Sequence, residues 1–354
     1  MVRRFAALLL ALLLLLGVLP ALAQGGGDEE SLPEAAQMTG FRHEYQGWNN
    51  CGPATLTTAL SYFGWQEDQY TAASWLKPDP EDKNVSPWQM VEFVNTQTPV
   101  RALFRYGGDL DRLRQMVAHD FPVIIAAGYE PEGYDWMGHY LLIAGYDRRA
   151  GTFLTQDSFL GPDTVYPEAE IDRYWQHFNR VYIVLYSPER EDDLLALLGE
   201  DADPASNAAR ALETARQEAA ANPSDAFAWF NLGTSYVLLE MYQEAAVAYD
   251  QARSVEPGLP WRMLWYQFGP FEAYYQVGRW DDVIGLAQFN LATTPDGEHP
   301  IEETYYYAGL ARQALGETER ALLNFQQALA INPNFSPAQA ALAALQQGSG
   351  AGGG

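Results

Sequence analysis

Cys51 is the only cysteine of the 354-residue chain. It stands in Gln46-Gly47-Trp48-Asn49-Asn50-Cys51-Gly52-Pro53-Ala54, where an irregular segment turns into a helix. Leu56, Ala59, Leu60 and Phe63 recur at three- and four-residue steps before Gly64, so a helix is expected over 53–63 with the cysteine at its N-terminus. Unpaired backbone N–H groups and the positive end of the helix dipole favour an anion there, so this thiol should ionise more readily than a free cysteine. Gly52 lets the backbone approach a ligand, and Pro53 suits a first helical turn. A lone cysteine makes no internal disulfide. The alternative reading, a small buried hydrophobe, fits poorly with the polar or small neighbours Asn49, Asn50 and Gly52.

A thiol nucleophile needs a base, and the base needs a group to orient it. Of the five histidines, His43, His119, His177 and His299 read as surface helix or loop. His139 differs: it opens the apolar strand Tyr140-Leu141-Leu142-Ile143-Ala144, after a Gly138 small enough to leave room for a substrate backbone. The chain then turns over 147–151 and returns as Thr152-Phe153-Leu154-Thr155-Gln156-Asp157. With the turn centred on Arg149, position 139 faces 159, and 157 is its diagonal neighbour on the same face at roughly 7 Å. Asp157 can therefore reach the imidazole; a strand-end or turn aspartate is the structural alternative. An oxyanion would need a donor besides the Cys51 backbone N–H. The Gln46 side chain can supply one, while Asn49 and Asn50 shape the turn.

Helices at 53–63, 86–96 and 109–119, followed by strands at 122–129, 139–146, 152–156 and 180–186, indicate an α+β domain over 38–187. Beyond Ser187 the composition turns to Ala, Leu, Glu and Gln, and repeats appear. Trp229, Leu232, Gly233, Tyr236, Ala245, Tyr249, Ala252 and Pro257 fall at the spacing of one tetratricopeptide repeat (TPR). The pattern returns at Gly278, Trp280 and Pro295, and again from Tyr305 to Pro333. An all-α TPR solenoid is expected over 192–347, with a half-repeat at 208–223, a capping helix near 336–347 and a Gly-rich tail at 348–354. Pro270, where a helix interior is due, predicts a kink or a late start. Helix pairs of this kind must stack to bury their apolar faces. The concave face that results is expected to hold a peptide or protein partner, unless the solenoid only docks on the first domain.

Arg3 and Arg4, an apolar run from Phe5 to Leu19, and Ala21-Leu22-Ala23 have the order of a secretory signal over 1–23, with the mature chain starting at Gln24. The run is shorter than the roughly 20 residues of a membrane span. Residues 24–37, Gly-rich and acidic, read as a flexible linker. The net charge of −25 argues against nucleic acid and anionic membranes as partners. No His/Cys/Asp cluster has metal-ligand spacing, so neither metal nor cofactor is expected.

Gln46, then Asn50-Cys51-Gly52-Pro53-Ala54, then Gly138-His139-Tyr140, then an Asp closing the next strand: over about 38–187 this order resembles the bacteriocin-processing type of cysteine peptidase. The resemblance implies a papain-like fold, Cys51 as nucleophile, His139 as general base and acid, Asp157 as its orienting partner and Gln46 in the oxyanion hole. Family members often have Pro after the Asp, where this chain has Ser158. The best-known members are fused to transporters and cut after a double glycine in a leader peptide; that specialisation is not expected here. The sequence thus reads as an exported cysteine peptidase with a TPR domain. The alternatives are acyl transfer to an amine, and a peptide- or protein-binding module without catalysis.

Overall fold

The computed structural model describes residues 32–293 and 301–351. The expected signal at 1–23, linker residues 24–31, Pro295, His299 and the last three glycines lie outside the described residues. Ala35–Gln37 (β1), Arg101–Arg105 (β2), Val123–Tyr129 (β3), Met137–Asp147 (β4), Thr152–Asp157 (β5), Gly161–Pro167 (β6) and Tyr182–Tyr186 (β7) form one sheet. Its order is β2-β7-β3-β4-β5-β6, with β1 beside β4, and every pair is antiparallel. β1 is a correction: the end of the segment read as a flexible linker pairs Ala35 with Asp147 and Gln37 with Gly145, taking the place beside β4 where β3 has ended.

Strand periodicity divides the core. Ile124, Ala126, Leu142, Ile183 and Leu185 face one side; Val123, Ile125, Leu141, Ile143 and Val184 face the other, as alternating side chains must. On the first side lie Cys51–Ser61 (α1), Gln69–Leu76 (α2) and Pro87–Gln97 (α3); on the second, Leu110–Ala118 (α4), Glu168–Gln176 (α5) and Glu191–Leu198 (α6). α1 is buried on every face from Gly52 to Leu60. Burial of Leu56 and Leu60, both fully inaccessible, contributes roughly 2 kcal/mol each. Such packing leaves the N-terminus of α1 little freedom to move.

Pro204–Ala221 (α7), Ala226–Leu238 (α8), Tyr242–Ser254 (α9), Gly269–Gln276 (α10), Trp280–Ala292 (α11), Glu302–Ala314 (α12), Thr318–Ile331 (α13) and Ser336–Ala351 (α14) make the helical half. α8 packs on α9 and α12 on α13 as helix pairs. A Cβ on Gly309 would stand 2.5 Å from the Phe325 ring, so only glycine lets these two helices approach so closely. α10 starts late, with Pro270 in its first turn, as a proline at that place requires.

The helical half docks on the α1–α3 side of the sheet and shares its core: Phe230, Tyr249 and Phe271 belong to the same cluster as Leu56 and Leu142. Buried polar groups fix the contact. Asn332 Nδ2 donates to Leu76 O at 2.9 Å, Asn231 Nδ2 to Gln176 O at 2.7 Å, and Ser86 Oγ and Gln89 Nε2 donate to Glu303 and Glu302 at 3.0 and 2.9 Å. Asp82 joins these two glutamates in the interior, and one oxygen of each of the three carboxyls lacks a hydrogen-bond partner among the described residues.

Burial, then repulsion from Glu302, raises Asp82 and Glu303 well above the usual carboxyl range. The folded protein therefore holds protons that the unfolded chain loses from about pH 4 upward, and its stability falls as pH rises from there toward the raised values. Glu303→Gln keeps an acceptor for Ser86 while removing the charge. It is expected to flatten that decline and to stabilise the protein at pH 8 by about 1–2 kcal/mol; thermal melts of both proteins between pH 5 and pH 8 check this.

Candidate active site

Cys51 is the first residue of α1, and Asn50 precedes it as N-cap without a capping side-chain bond. The Asn50 amide is spent on the loop instead: Asn50 Nδ2 and Gly47 N both donate to Gln69 Oε1 at 2.7 Å, and Gln69 Nε2 donates to Tyr45 O at 2.8 Å. Gln69, the first residue of α2, thus ties down the loop that delivers the cysteine. Asn49 takes a positive φ of 52° within it, a conformation asparagine tolerates better than most residues.

His139 stands in β4, 4% exposed, and its Nε2 lies 2.9 Å from Asp157 Oδ1 at the end of β5. The register that brings them together has two parts. At the turn Asp147 pairs with Thr152, one residue beyond a turn centred on Arg149; a bulge between Ile143 and Gly145 absorbs the offset, and Leu142 pairs with Gln156. Continued to the site, that pairing sets 139 opposite 159, with 157 on the diagonal.

Asp157 is fully buried yet well supplied with donors. Phe159 N and Leu160 N reach its Oδ1 at 2.8 and 3.2 Å, and Tyr166 Oη reaches Oδ2 at 2.6 Å. Burial would raise its pKa; His139, Tyr166 and the Phe159 N–H outweigh burial and hold it down at about 2. Burial likewise opposes a charged His139, but hydrogen bonds to Asp157 and Cys51 and the charges of both push it up to about 9. With Nε2 engaged by Asp157, Nδ1 is the ring atom left for the thiol. Tyr129 stacks on the imidazole with ring centres 4.8 Å apart, which fixes the ring plane.

Gln46 is bound to the far end of β5: its N donates to Ser158 O at 2.8 Å, and Ser158 Oγ donates to its Oε1 at 3.0 Å. The NH2 end of the amide is left as donor. Gln46 is not among the residues lining the narrow cleft at Cys51, which include Asn49, Lys83, Gly138, His139 and Tyr140. Lys77, almost wholly buried and held below the ordinary lysine pKa by that burial, was not singled out from sequence; neither were Tyr166, Gln69 and Ser158.

Two expectations change. The room foreseen beside Gly138 is filled: a Cβ there would meet the rings of Phe178 and Tyr266 at 2.9 Å, the latter from the helical half. The cleft at Cys51 encloses only about 20 Å³. Nor is His177 a surface residue. It is 6% exposed, accepts a hydrogen bond from Trp136 Nε1 at 3.0 Å and stacks on Phe227 at 3.7 Å, and burial lowers its pKa to about 3. His43 is half-buried, and His119 Nδ1 lies 2.9 Å from Gln115 O at the end of α4.

Residues 31–183 match the Peptidase_C39 like family. The C39-like domain is followed by a tetratricopeptide repeat match over 302–335, on α12 and α13. No curated protein matches the chain. Among solved structures, a C39-like peptidase from Bacillus anthracis covers 43% of this chain and 98% of its own, at 15% identity and a TM-score of 0.36. A double glycine motif protease from an AMS/PCAT transporter, solved with its leader peptide, covers 43% and 98% at 16% identity and a TM-score of 0.31. A thermophilic TPR protein from Thermus thermophilus covers 45% and 84% at 16% identity and a TM-score of 0.33.

Proposed function

We propose that the chain is an exported cysteine peptidase whose C39-like domain cleaves peptide bonds through Cys51, His139 and Asp157. The observation that carries this reading is the buried hydrogen bond of His139 Nε2 to Asp157 at 2.9 Å, with the other ring nitrogen left for a thiol at a helix N-terminus. Cys51 gives its proton to His139 and attacks the peptide carbonyl carbon. The oxyanion that forms is held by the Cys51 backbone N–H, which opens α1 without a partner among the described residues, and by the Gln46 amide. His139 returns the proton to the leaving amine, and Asp157 keeps the ring oriented and its charge balanced. Water, deprotonated by His139, then releases the acyl group.

Gln46→Ala is expected to lower kcat about 10²-fold with little change in KM, the signature of a contact made only in the transition state; steady-state kinetics on one cleaved peptide checks it.

The test of the reading is digestion of a mixed peptide library in ¹⁸O-water by the protein without residues 1–23, followed by mass spectrometry. New C-termini carrying ¹⁸O, absent with Cys51→Ala, are the expected result. Products joined to added amines would indicate acyl transfer. Cleavage that persists in Cys51→Ala would exclude the mechanism. The closed cleft beside Gly138 favours a second reading, a C39-like domain that binds through its TPR half without cutting. Unchanged peptides together with retained peptide binding would select it.

A further inference from the structure

Between the sheet and the helical half lies a cavity of about 490 Å³, within the range of small-ligand sites. Its lining is aromatic: Tyr106, Phe178, Tyr266, Phe268, Tyr306 and Tyr307. Pro87, Phe178 and Tyr266 line both this cavity and the cleft at Cys51, so the two spaces are separated by one layer of side chains. The cleft, at about 20 Å³, has no room for a substrate side chain; the cavity has room for a large one. Gln276, an exposed residue on its wall, marks the side open to solvent.

We propose that this cavity is the specificity subsite of the peptidase, built jointly by the two halves and taking a large uncharged side chain, aromatic or branched aliphatic, close to the scissile bond. The proposal rests on the peptidase reading for the identity of the occupant. Rings on several sides reward an apolar or aromatic occupant through burial and edge-to-face contacts. Among the described residues no Lys or Arg lines the wall. Of the two carboxyls there, burial raises both Glu272 and Glu303 above their ordinary range, so the wall draws no cation strongly. Tyr266, between the short 3₁₀ turn Met263–Trp265 and α10, is one of the three shared wall residues and the one from the helical half, so it must shift for a chain to pass from cavity to cleft. The TPR half then acts on the substrate in cis, as part of the site, and not only as a distant platform.

The experiment compares full-length protein with Val237→Trp and Leu310→Trp, two half-buried wall positions at which an indole fills the cavity. Each is first checked for a cooperative thermal melt. Kinetics are read on peptide pairs that differ only by Phe or Ala at each position near the cut. Wild type is expected to prefer Phe by at least tenfold in kcat/KM at one position, and both variants to bring that ratio close to one. Cleavage without a preference, or a preference that both variants leave unchanged, overturns the subsite while the peptidase reading stands. If wild type cleaves nothing, fluorescence anisotropy with labelled Phe and Ala peptides decides. Preferential Phe binding lost in both variants supports the cavity and rejects the peptidase; binding absent or indifferent to the variants overturns the cavity as well.

Discussion

Replacing His139 with alanine is expected to lower kcat for peptide cleavage by about 10³–10⁶-fold, and adding Cys51→Ala to lower it no further. In the proposed mechanism the imidazole takes the thiol proton and returns it to the amine, so each residue is idle without the other. The non-additivity is the informative part. If His139 only braced the strand, its loss would reduce folded protein, and the two substitutions would multiply. Some loss of stability is expected too, because His139 is buried, stacks on Tyr129 and partners the buried Asp157, so the comparison is made per folded molecule. Single and double variants, matched by thermal melt and assayed on one peptide, check the expectation.

Asp157→Asn is expected to cost about 10²–10⁴-fold in kcat and to move the alkaline limb of the pH profile downward. The sign follows from the charges. Asp157 supplies both a hydrogen bond and a negative charge that keep His139 protonated up to about pH 9, and in the proposed mechanism protonated His139 is the acid that serves the leaving amine. Removing the charge lets the proton leave at lower pH, so the limb, expected near 9 in wild type, should fall by a unit or more, since each unit corresponds to about 1.4 kcal/mol of lost interaction. Tyr166 and the two backbone N–H groups still face the amide, and its NH2 group cannot accept from all of them. The expected consequence is some loss of stability as well, measured separately by thermal melt. A limb that stays near 9 would mean that Asp157 does not set the state of His139.

Much of this site could be read from residue order. Cys51 at a helix start, His139 at a strand start and Asp157 two residues off the facing position on the returning strand depend on local periodicity and one hairpin, which sequence carries well. Even there the turn was offset by one residue, and the bulge between Ile143 and Gly145 compensated; nothing in the sequence announces a bulge at Ala144. β1 was hidden because its Ala35-Ala36-Gln37 has no strand pattern of its own and forms only against the free edge of β4. α2 had a legible start in Asp68, whose side chain accepts from Tyr70 N and Thr71 N, but it is short and follows a stretch with no clear period. The supporting groups Gln69, Ser158 and Tyr166 act through contacts that fold topology creates. The filling of the space at Gly138 was out of reach for the same reason: Tyr266 stands 128 positions away in the chain and arrives there because the helical half shares a core with the sheet.

The most direct measurement is the rate at which iodoacetamide alkylates the protein at pH 6, in wild type and His139→Ala. Cys51 is the only cysteine, so one mass increment reports on it alone. A thiolate balanced by a His139 that holds its proton up to about pH 9 should be labelled at least tenfold faster in wild type than in the variant. Labelling that is slow in both, or equal in both, would contradict the account, because the thiol and the imidazole would then not share a proton.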